Sequence, residues 1–247
     1  LNAIGVVYRH RNDFEKAISY FEESIKIKEE LGDKRGVAAS LGNLGLVYKI
    51  MGRQDDALEA YKRSLEIKRE IGDKIGVSIA LNKIAQIYQN SGRYEEALSY
   101  YERSYETRKE IGAKHLMAAS LSDMAGLYSL MGHYKEALRL DSLALALRVE
   151  IGDQRGESHS LRNVAESLIA RARFEEAAAK LRRAVEVDTE LGDVRLLAAD
   201  SLGLGQHCLA RGKLDSAIIY FKGAFRVNQR LNAKRSLVIA QALLGEA

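Results

Sequence analysis

The sequence contains no proline and no tryptophan, and Cys208 is its single cysteine. One cysteine cannot form an internal disulfide, and no cysteines or histidines recur at the spacing of metal ligands, so the sequence predicts neither a metal nor a cofactor. A chain with so little cysteine is typical of a reducing compartment, which predicts a cytoplasmic protein. The longest apolar runs, such as residues 143–147, are far shorter than the roughly 20 residues that cross a bilayer.

Neither sign of charge dominates the chain, because 38 basic residues are opposed by 34 acidic ones and the formal net charge is +4. This small excess does not indicate a polyanionic partner, so no nucleic acid is expected. Apolar residues make up 47% of the chain and charged residues 29%, a mixture that can bury a core and keep a charged surface. The composition therefore predicts an ordered protein.

The short motifs around which active sites are built are also missing. The sequence has no Gly-rich phosphate loop, no His-Glu-x-x-His helix, no Gly-x-Ser-x-Gly elbow and no paired-cysteine motif. The segment 203–207 imitates part of a dinucleotide loop, but it lies in a helical pattern with no strand before it. The sequence therefore predicts that the protein is not an enzyme.

The chain does contain an internal repeat. A copy shifted by 40 residues aligns with the sequence from Leu1 to the end without a gap, which indicates about six repeats. Alanine recurs at one position of the repeat, and glycine, replaced once by asparagine, recurs at another. The two series are Ala17, Ala57, Ala97, Ala137, Ala177 and Ala217, and Gly32, Gly72, Gly112, Gly152, Gly192 and Asn232.

The glycine series predicts where helices end. Glycine and asparagine can both adopt positive φ, so each of these residues is expected to close a helix in the left-handed conformation. Aspartates follow four of them, where a carboxylate can accept a hydrogen bond from the first amides of the next helix. These aspartates are Asp33, Asp73, Asp153 and Asp193. A second series of breaks consists of Gly52, Gly92, Gly132 and Gly212, with Asn12 and Ala172 as variants.

Each repeat is therefore predicted to hold two amphipathic helices of about 18 residues, helix A before the second break and helix B after it. One pair cannot bury both apolar faces, but stacked pairs form a continuous core. This predicts an all-α fold, an α-solenoid of stacked antiparallel helix pairs in a single array over residues 1–247, truncated mid-helix at both ends. The predicted helices cover residues 13–31, 34–51, 54–71, 74–91, 94–111, 114–131, 134–151, 154–171, 174–191, 194–211 and 214–231.

The segment 41–48, followed by Gly52, Ala57 and Tyr61, strongly resembles the signature of the tetratricopeptide repeat (TPR). Leu41 stands where the family usually has tryptophan, the repeat is longer than the familiar one, and the proline that ends helix B is absent. This 40-residue variant resembles the repeats of LGN/Pins-type adaptors and of bacterial TPR signalling proteins. The resemblance implies a right-handed TPR superhelix whose A helices line a concave groove.

The resemblance also implies a function, an interaction scaffold that binds a segment of another protein or a peptide in this groove. The alternative is a sensor or regulatory segment of a larger signalling enzyme or transcription factor. Self-association through uncapped terminal repeats is a further expectation. The groove candidates are Asn2, Asn43, Lys49, Asn82, Lys83, Gln86, Gln89, Ser122, Asp123, Arg162, Asn163, Glu166 and Gln206.

Asn43, Asn82 and Asn163 lead this set, because a side-chain amide can both donate to and accept from the backbone of a bound segment. In the alternative interpretation Asn43 and Asn163 only bond neighbouring helices or face water. The carboxylate clamp of chaperone-binding relatives needs basic residues and asparagines over three consecutive repeats, and this sequence matches that arrangement poorly.

Departures from the repeat mark candidate positions of function or strain. Asp141 stands where other repeats have an aromatic or aliphatic residue, and it is expected to turn toward solvent or toward Arg139 while Leu140 fills the space. Ser167 and His207 replace an apolar series and are expected to form a partly buried pair. Cys208 replaces a tyrosine series and is expected to be a small buried hydrophobe.

Overall fold

The computed structural model describes residues 1–192 and 194–230, together with residues 242 and 245. In this part of the chain it contains twelve α-helices and no strand. The odd-numbered helices are the A helices and the even-numbered ones are the B helices. They are α1 Asn2–His10, α2 Phe14–Glu30, α3 Lys34–Ile50, α4 Gln54–Glu70, α5 Lys74–Asn90, α6 Tyr94–Glu110, α7 Lys114–Leu130, α8 Tyr134–Glu150, α9 Gln154–Ala170, α10 Phe174–Leu191, α11 Val194–Ala210 and α12 Leu214–Arg230.

The chain forms two compact units, Leu1–Ser120 and Leu121–Ala247. In the first unit each helix from α1 to α6 packs against the next one, and in the second unit the same holds from α8 to α12. The predicted all-α solenoid of stacked antiparallel helix pairs is thereby confirmed. No helix among the described residues is long and apolar enough to cross a membrane.

The helices end where the glycine series predicts. Gly32 (φ 67°) and Gly52 (φ 77°) represent the two kinds of break, and both lie in the left-handed region. Asn12 (φ 59°) and Ala172 (φ 55°) adopt the same conformation without being glycine, which is costly for an alanine because of its Cβ. Asn232, the asparagine of the first series, lies outside the described residues.

Three A helices begin with the predicted aspartate cap. The Asp33 carboxylate accepts a hydrogen bond from the backbone N–H of Gly36 at 2.8 Å, and Asp73 and Asp153 bind the glycines three residues after them in the same way. A Cβ on Gly36 would collide with the Asp33 carboxyl group, so this cap needs glycine as its partner. Asp193, the fourth predicted cap, lies outside the described residues.

Small residues on the A helices let the B helices approach closely. The ring of Phe21 packs on Gly5, that of Tyr61 on Gly45 and that of Phe221 on Gly205. The alanines of the repeat series are fully buried at Ala17, Ala57, Ala97, Ala137, Ala177 and Ala217. Cys208 is buried beside Ala217 and Phe221, as predicted for a small hydrophobe.

Candidate binding face of the A helices

The predicted groove residues lie on the A helices, and we call this set the A-helix face. Asn82 is buried, whereas Glu166 and Gln206 are exposed. The others are partly buried: Asn2, Asn43, Lys49, Lys83, Gln86, Gln89, Ser122, Asp123, Arg162 and Asn163. Partly buried polar side chains contact both neighbouring residues and solvent. The hydrogen bonds that each side chain already makes determine which donors and acceptors it has for a ligand.

In the first unit, side chains of the A-helix face bond to one another. Lys49 Nζ donates to Gln86 Oε1 at 2.9 Å, and Gln86 Nε2 donates to Asn82 Oδ1 at 3.0 Å. Burial and the nearby charge of Lys83 lower the pKa of Lys49. The three side chains form a continuous polar row across α3 and α5, so a ligand would meet an already ordered surface.

Asn43 is also held by a neighbouring helix. Its Nδ2 donates to Asn2 Oδ1 at 3.2 Å, and the same oxygen accepts a bond from Ser40 Oγ at 3.3 Å. These contacts fit the interpretation that the asparagines bond neighbouring helices. A side-chain amide has two N–H donors and two acceptor lone pairs, so one bond leaves most of its capacity available.

A basic series recurs on the B helices with the 40-residue period of the repeat: Lys28, Lys68, Arg108 and Arg148. Lys28 Nζ donates to Gly36 O at 3.2 Å and to Ser40 Oγ at 3.0 Å, and thus ties its helix to the next A helix. Arg108 and Arg148 make the equivalent pair of bonds, to a carbonyl eight residues on and a serine twelve residues on.

Lys68 belongs to this series but lacks its partner. The residue twelve positions on is Ala80, whereas Lys28, Arg108 and Arg148 have a serine at that distance. Within the described part of the chain, the Lys68 ammonium makes no hydrogen bond and no ion pair. Burial lowers the pKa of Lys68, and the charge of Asp73 opposes that effect.

The Lys68 side chain lines a cavity of about 220 Å³ in the first unit, which we call the Tyr61 cavity. Its other polar lining residues are Asn43, Tyr61 and Lys83, and its remaining walls are apolar residues of α3 and α5, including Leu46 and Ile79. Tyr61 is only 2% exposed, and its hydroxyl oxygen has no hydrogen-bond partner among the described residues. In the next repeat, by contrast, Tyr101 OH donates to Gln89 Oε1 at 2.8 Å.

The second unit has its own cavity, of about 340 Å³, which we call the Asp141 cavity. Asp141 is 3% exposed and accepts long hydrogen bonds from Asn163 Nδ2 at 3.4 Å and Ser167 Oγ at 3.5 Å. Burial raises the pKa of Asp141 to about 7, against the two hydrogen bonds. Glu166 also lines the cavity, and its charge adds to the rise while that of Arg148 opposes it.

The prediction that Asp141 turns to solvent or to Arg139 is wrong. Leu140 is buried as expected, but Asp141 is buried beside it, because Asn163 and Ser167 on α9 supply hydrogen-bond donors. A buried carboxyl group is tolerated when it is hydrogen-bonded or protonated. The expected pairing of Ser167 concerns the side chain of His207, which lies outside the described residues.

Arg162, one of the groove candidates, is bound to a buried carboxylate of the next helix. Its Nη1 donates to Asp188 Oδ2 at 3.0 Å and to Ser158 Oγ at 2.9 Å, and Asp188 is fully buried. Asp188 occupies the position that Lys28, Lys68, Arg108 and Arg148 have in the earlier repeats. Here the B helix therefore supplies the acid and the A helix supplies the arginine. No group of three metal-ligating side chains occurs among the described residues.

Solved structures with this architecture come from several kinds of protein. The chain is similar to BtubC (BKLC) from P. vanneervenii, with 17% identity over 89% of this chain and 92% of that one and a TM-score of 0.79. It is similar to a signal transduction ATPase with a tetratricopeptide repeat sensor from Pyrococcus horikoshii, with 19% identity over 97% of this chain and 38% of that one and a TM-score of 0.80.

A Rap protein complexed with Competence and Sporulation Factor is a third similar structure, with 16% identity over 99% of this chain and 73% of that one and a TM-score of 0.66. At these identities the likeness concerns the fold. None of the curated protein sequences matches the chain. Family models described as tetratricopeptide repeat match residues 1–70 and 76–148, and a further one matches residues 164–228. The chain therefore belongs to the tetratricopeptide repeat family.

Proposed function

We propose that this chain is an interaction scaffold that binds a segment of a partner protein, or a peptide, on the A-helix face. The observation that carries the proposal is the polar row of Lys49, Gln86 and Asn82, which is ordered by its own hydrogen bonds and partly open to solvent. A preordered row costs little conformational entropy on binding, and the polar groups of Lys49 and Gln86 suit the backbone of an extended or helical segment. Such a role needs no catalytic group.

The two cavities support selectivity by charge. The Tyr61 cavity is lined by two lysines and no carboxyl group, whereas the Asp141 cavity is lined by two carboxyl groups and no cation. An unmatched charge on a partner costs more at such partly desolvated places than on an open surface.

The test is a selection of binding peptides from a displayed library, followed by fluorescence anisotropy on the selected peptides. Replacing Asn43, Asn82 and Asn163 together with alanine is expected to weaken binding at least about tenfold, which corresponds to roughly 1.4 kcal/mol. A circular dichroism melt confirms that the variant is folded, which is needed because Asn163 also bonds Asp141.

The matched control replaces three exposed B-helix residues, Lys62, Glu102 and Arg182, with alanine. This control is expected to bind like the unchanged chain. Equal binding by the asparagine variant, or an equal loss in the B-helix control, would show that the A-helix face is not the binding surface.

The second candidate is a sensor or regulatory segment of a larger signalling enzyme or transcription factor. The likeness to the Pyrococcus horikoshii ATPase favours it, since nearly all of this chain matches just over a third of that protein. Sequencing the coding region on both sides of this segment tests it, and flanks without an output domain would contradict it.

We further propose a cytoplasmic location and self-association through uncapped terminal repeats. The single cysteine supports the location. Sedimentation equilibrium at increasing concentration tests the association, and a constant monomer mass would refute it.

A further inference from the structure

We propose that the Tyr61 cavity is a binding site for a carboxylate, the side chain of an aspartate or glutamate carried by the bound segment. The inference deepens the proposed function and rests on it for the source of the carboxylate. The site itself rests on three features of the first unit: an unpartnered phenol, an unpartnered ammonium and a lining without an acid.

The phenol of Tyr61 is the first feature. A buried hydroxyl normally finds a hydrogen-bond partner, because leaving it unsatisfied carries a desolvation penalty. Tyr61 is 2% exposed, its oxygen has no partner among the described residues, and its side chain lines the cavity. Burial raises the pKa of Tyr61 to about 12, so the phenol keeps its proton and is a donor at neutral pH. An anion in the cavity would accept that bond.

The ammonium of Lys68 is the second feature. Its stem follows the path of Lys28, since the Cδ atoms of both lysines lie against the glycine that follows the aspartate cap, Gly76 and Gly36 respectively. At the end of this path Lys28 reaches Ser40, whereas Lys68 meets Ala80. A partly buried cation without a hydrogen-bond acceptor gains more from a bound anion than a solvated one does.

The lining is the third feature, and it selects the kind of anion. Lys83 is the second cation of the cavity, and no aspartate or glutamate lines it. The apolar walls, including Leu46 and Ile79, suit the methylene stem of a glutamate better than a fully hydrated phosphate. Two ammonium groups and one phenol thus supply donors to the cavity, and a carboxylate accepts charge-assisted hydrogen bonds, which are the strong kind.

The experiment uses the whole chain with 13C-labelled tyrosine rings, and Tyr61→Phe assigns the Tyr61 resonance. The probes are N-acetylglutamate N-methylamide, its glutamine analogue, and inorganic phosphate at equal ionic strength. The glutamate probe is expected to shift the Tyr61 resonance saturably, and the glutamine probe is expected to leave it in place. A glutamine probe or phosphate that shifts the resonance as strongly as the glutamate probe would overturn the assignment to a carboxylate.

Three variants test the residues. Lys68→Met is expected to weaken binding of the glutamate probe at least about tenfold, because it removes a charge-assisted hydrogen bond. Ala80→Ser supplies Lys68 with the serine that Lys28, Arg108 and Arg148 bind, so it is expected to weaken binding of the probe without removing the cation. Lys28→Met, the matched control, is expected to leave binding unchanged. Unaltered binding in both Lys68→Met and Ala80→Ser would refute the site.

The inference and the proposed function can fail separately. Each Asp and Glu of the selected peptides is changed to Asn and Gln. If these peptides still bind the A-helix face with equal affinity, the carboxylate site is wrong and the proposed scaffold function is unaffected. If the glutamate probe binds but no peptide does, the site stands as an anion site and the scaffold function fails.

Discussion

Gly45 and Tyr61 lie so close together that a Cβ on Gly45 would stand 2.8 Å from Cε1 of the tyrosine ring. A real Cβ cannot approach a ring carbon to that distance, so one of the two helices would have to move. The same relationship joins Gly5 with Phe21 and Gly205 with Phe221. In these three pairs the glycine on the A helix lets the aromatic ring of the B helix lie directly against the A-helix backbone.

Gly45→Ala is expected to lower the free energy of unfolding by about 1–3 kcal/mol through overpacking. The matched control is Gly42→Ala on the same helix, where the nearest atom to an added Cβ is Ser64 Oγ at 4.0 Å. It is expected to raise stability by about 0.5–1 kcal/mol, because alanine is the better helix former. Urea unfolding of both variants checks the pair, and equal shifts would contradict the packing of Tyr61.

Ala172→Gly is expected to stabilise the protein by about 0.5–1 kcal/mol, because Ala172 holds a φ of 55° that a Cβ disfavours. The larger entropy of glycine in the unfolded chain offsets part of the gain. Ala179→Gly, at an exposed position within α10, is the control and is expected to destabilise by about 1 kcal/mol. Thermal melts compare them; destabilisation by Ala172→Gly would mean that residue 172 is not left-handed.

Asp141→Asn is expected to stabilise the protein at pH 8 and to have little effect at pH 4. Burial raises the pKa of Asp141 from 3.8 to about 7, so the folded state binds the proton more tightly than the unfolded state does. Stability is therefore lost as the pH rises through this interval, and asparagine avoids the loss. The difference at pH 8 is expected to be roughly 2–4 kcal/mol.

Urea unfolding at a series of pH values measures this difference. The pH range over which the difference changes reports the pKa of Asp141, to which the charges of Glu166 and Arg148 contribute. A pH-independent difference between Asp141→Asn and the unchanged chain would show that folding does not raise the pKa of Asp141.

Tyr61→Phe and Tyr101→Phe are expected to act in opposite directions. The Tyr61 hydroxyl has no partner among the described residues, so its removal is expected to be neutral or stabilising by up to about 1 kcal/mol. The Tyr101 hydroxyl donates to Gln89, and its removal is expected to cost about 0.5–1.5 kcal/mol. Chemical denaturation decides between them, and a cost for Tyr61→Phe as large as that for Tyr101→Phe would reveal a partner of Tyr61.

The sequence alone was sufficient for the repeat, the all-α solenoid and the left-handed helix ends at positions such as Gly32 and Gly52. These features depend on local properties, since glycine lacks a Cβ and adopts a positive φ without strain. The cap of Asp33 was predictable for the same reason, because its partner lies three residues away. The single array over residues 1–247 and the groove residues stay predictions.

Only the tertiary structure decided which polar side chains have partners. Asp141 is buried because Asn163 and Ser167 reach it from another helix, Arg162 is held by Asp188 on α10, and Tyr61 is left without a partner. The bonds of Asp141 and Arg162 join residues at least 22 positions apart in the sequence. The Tyr61 hydroxyl has no hydrogen-bond partner among the described residues. A repeat predicts that a position faces the core. Hydrogen bonds and burial at that position change when the distance between helices changes by a few tenths of an ångström, and the sequence does not contain these distances.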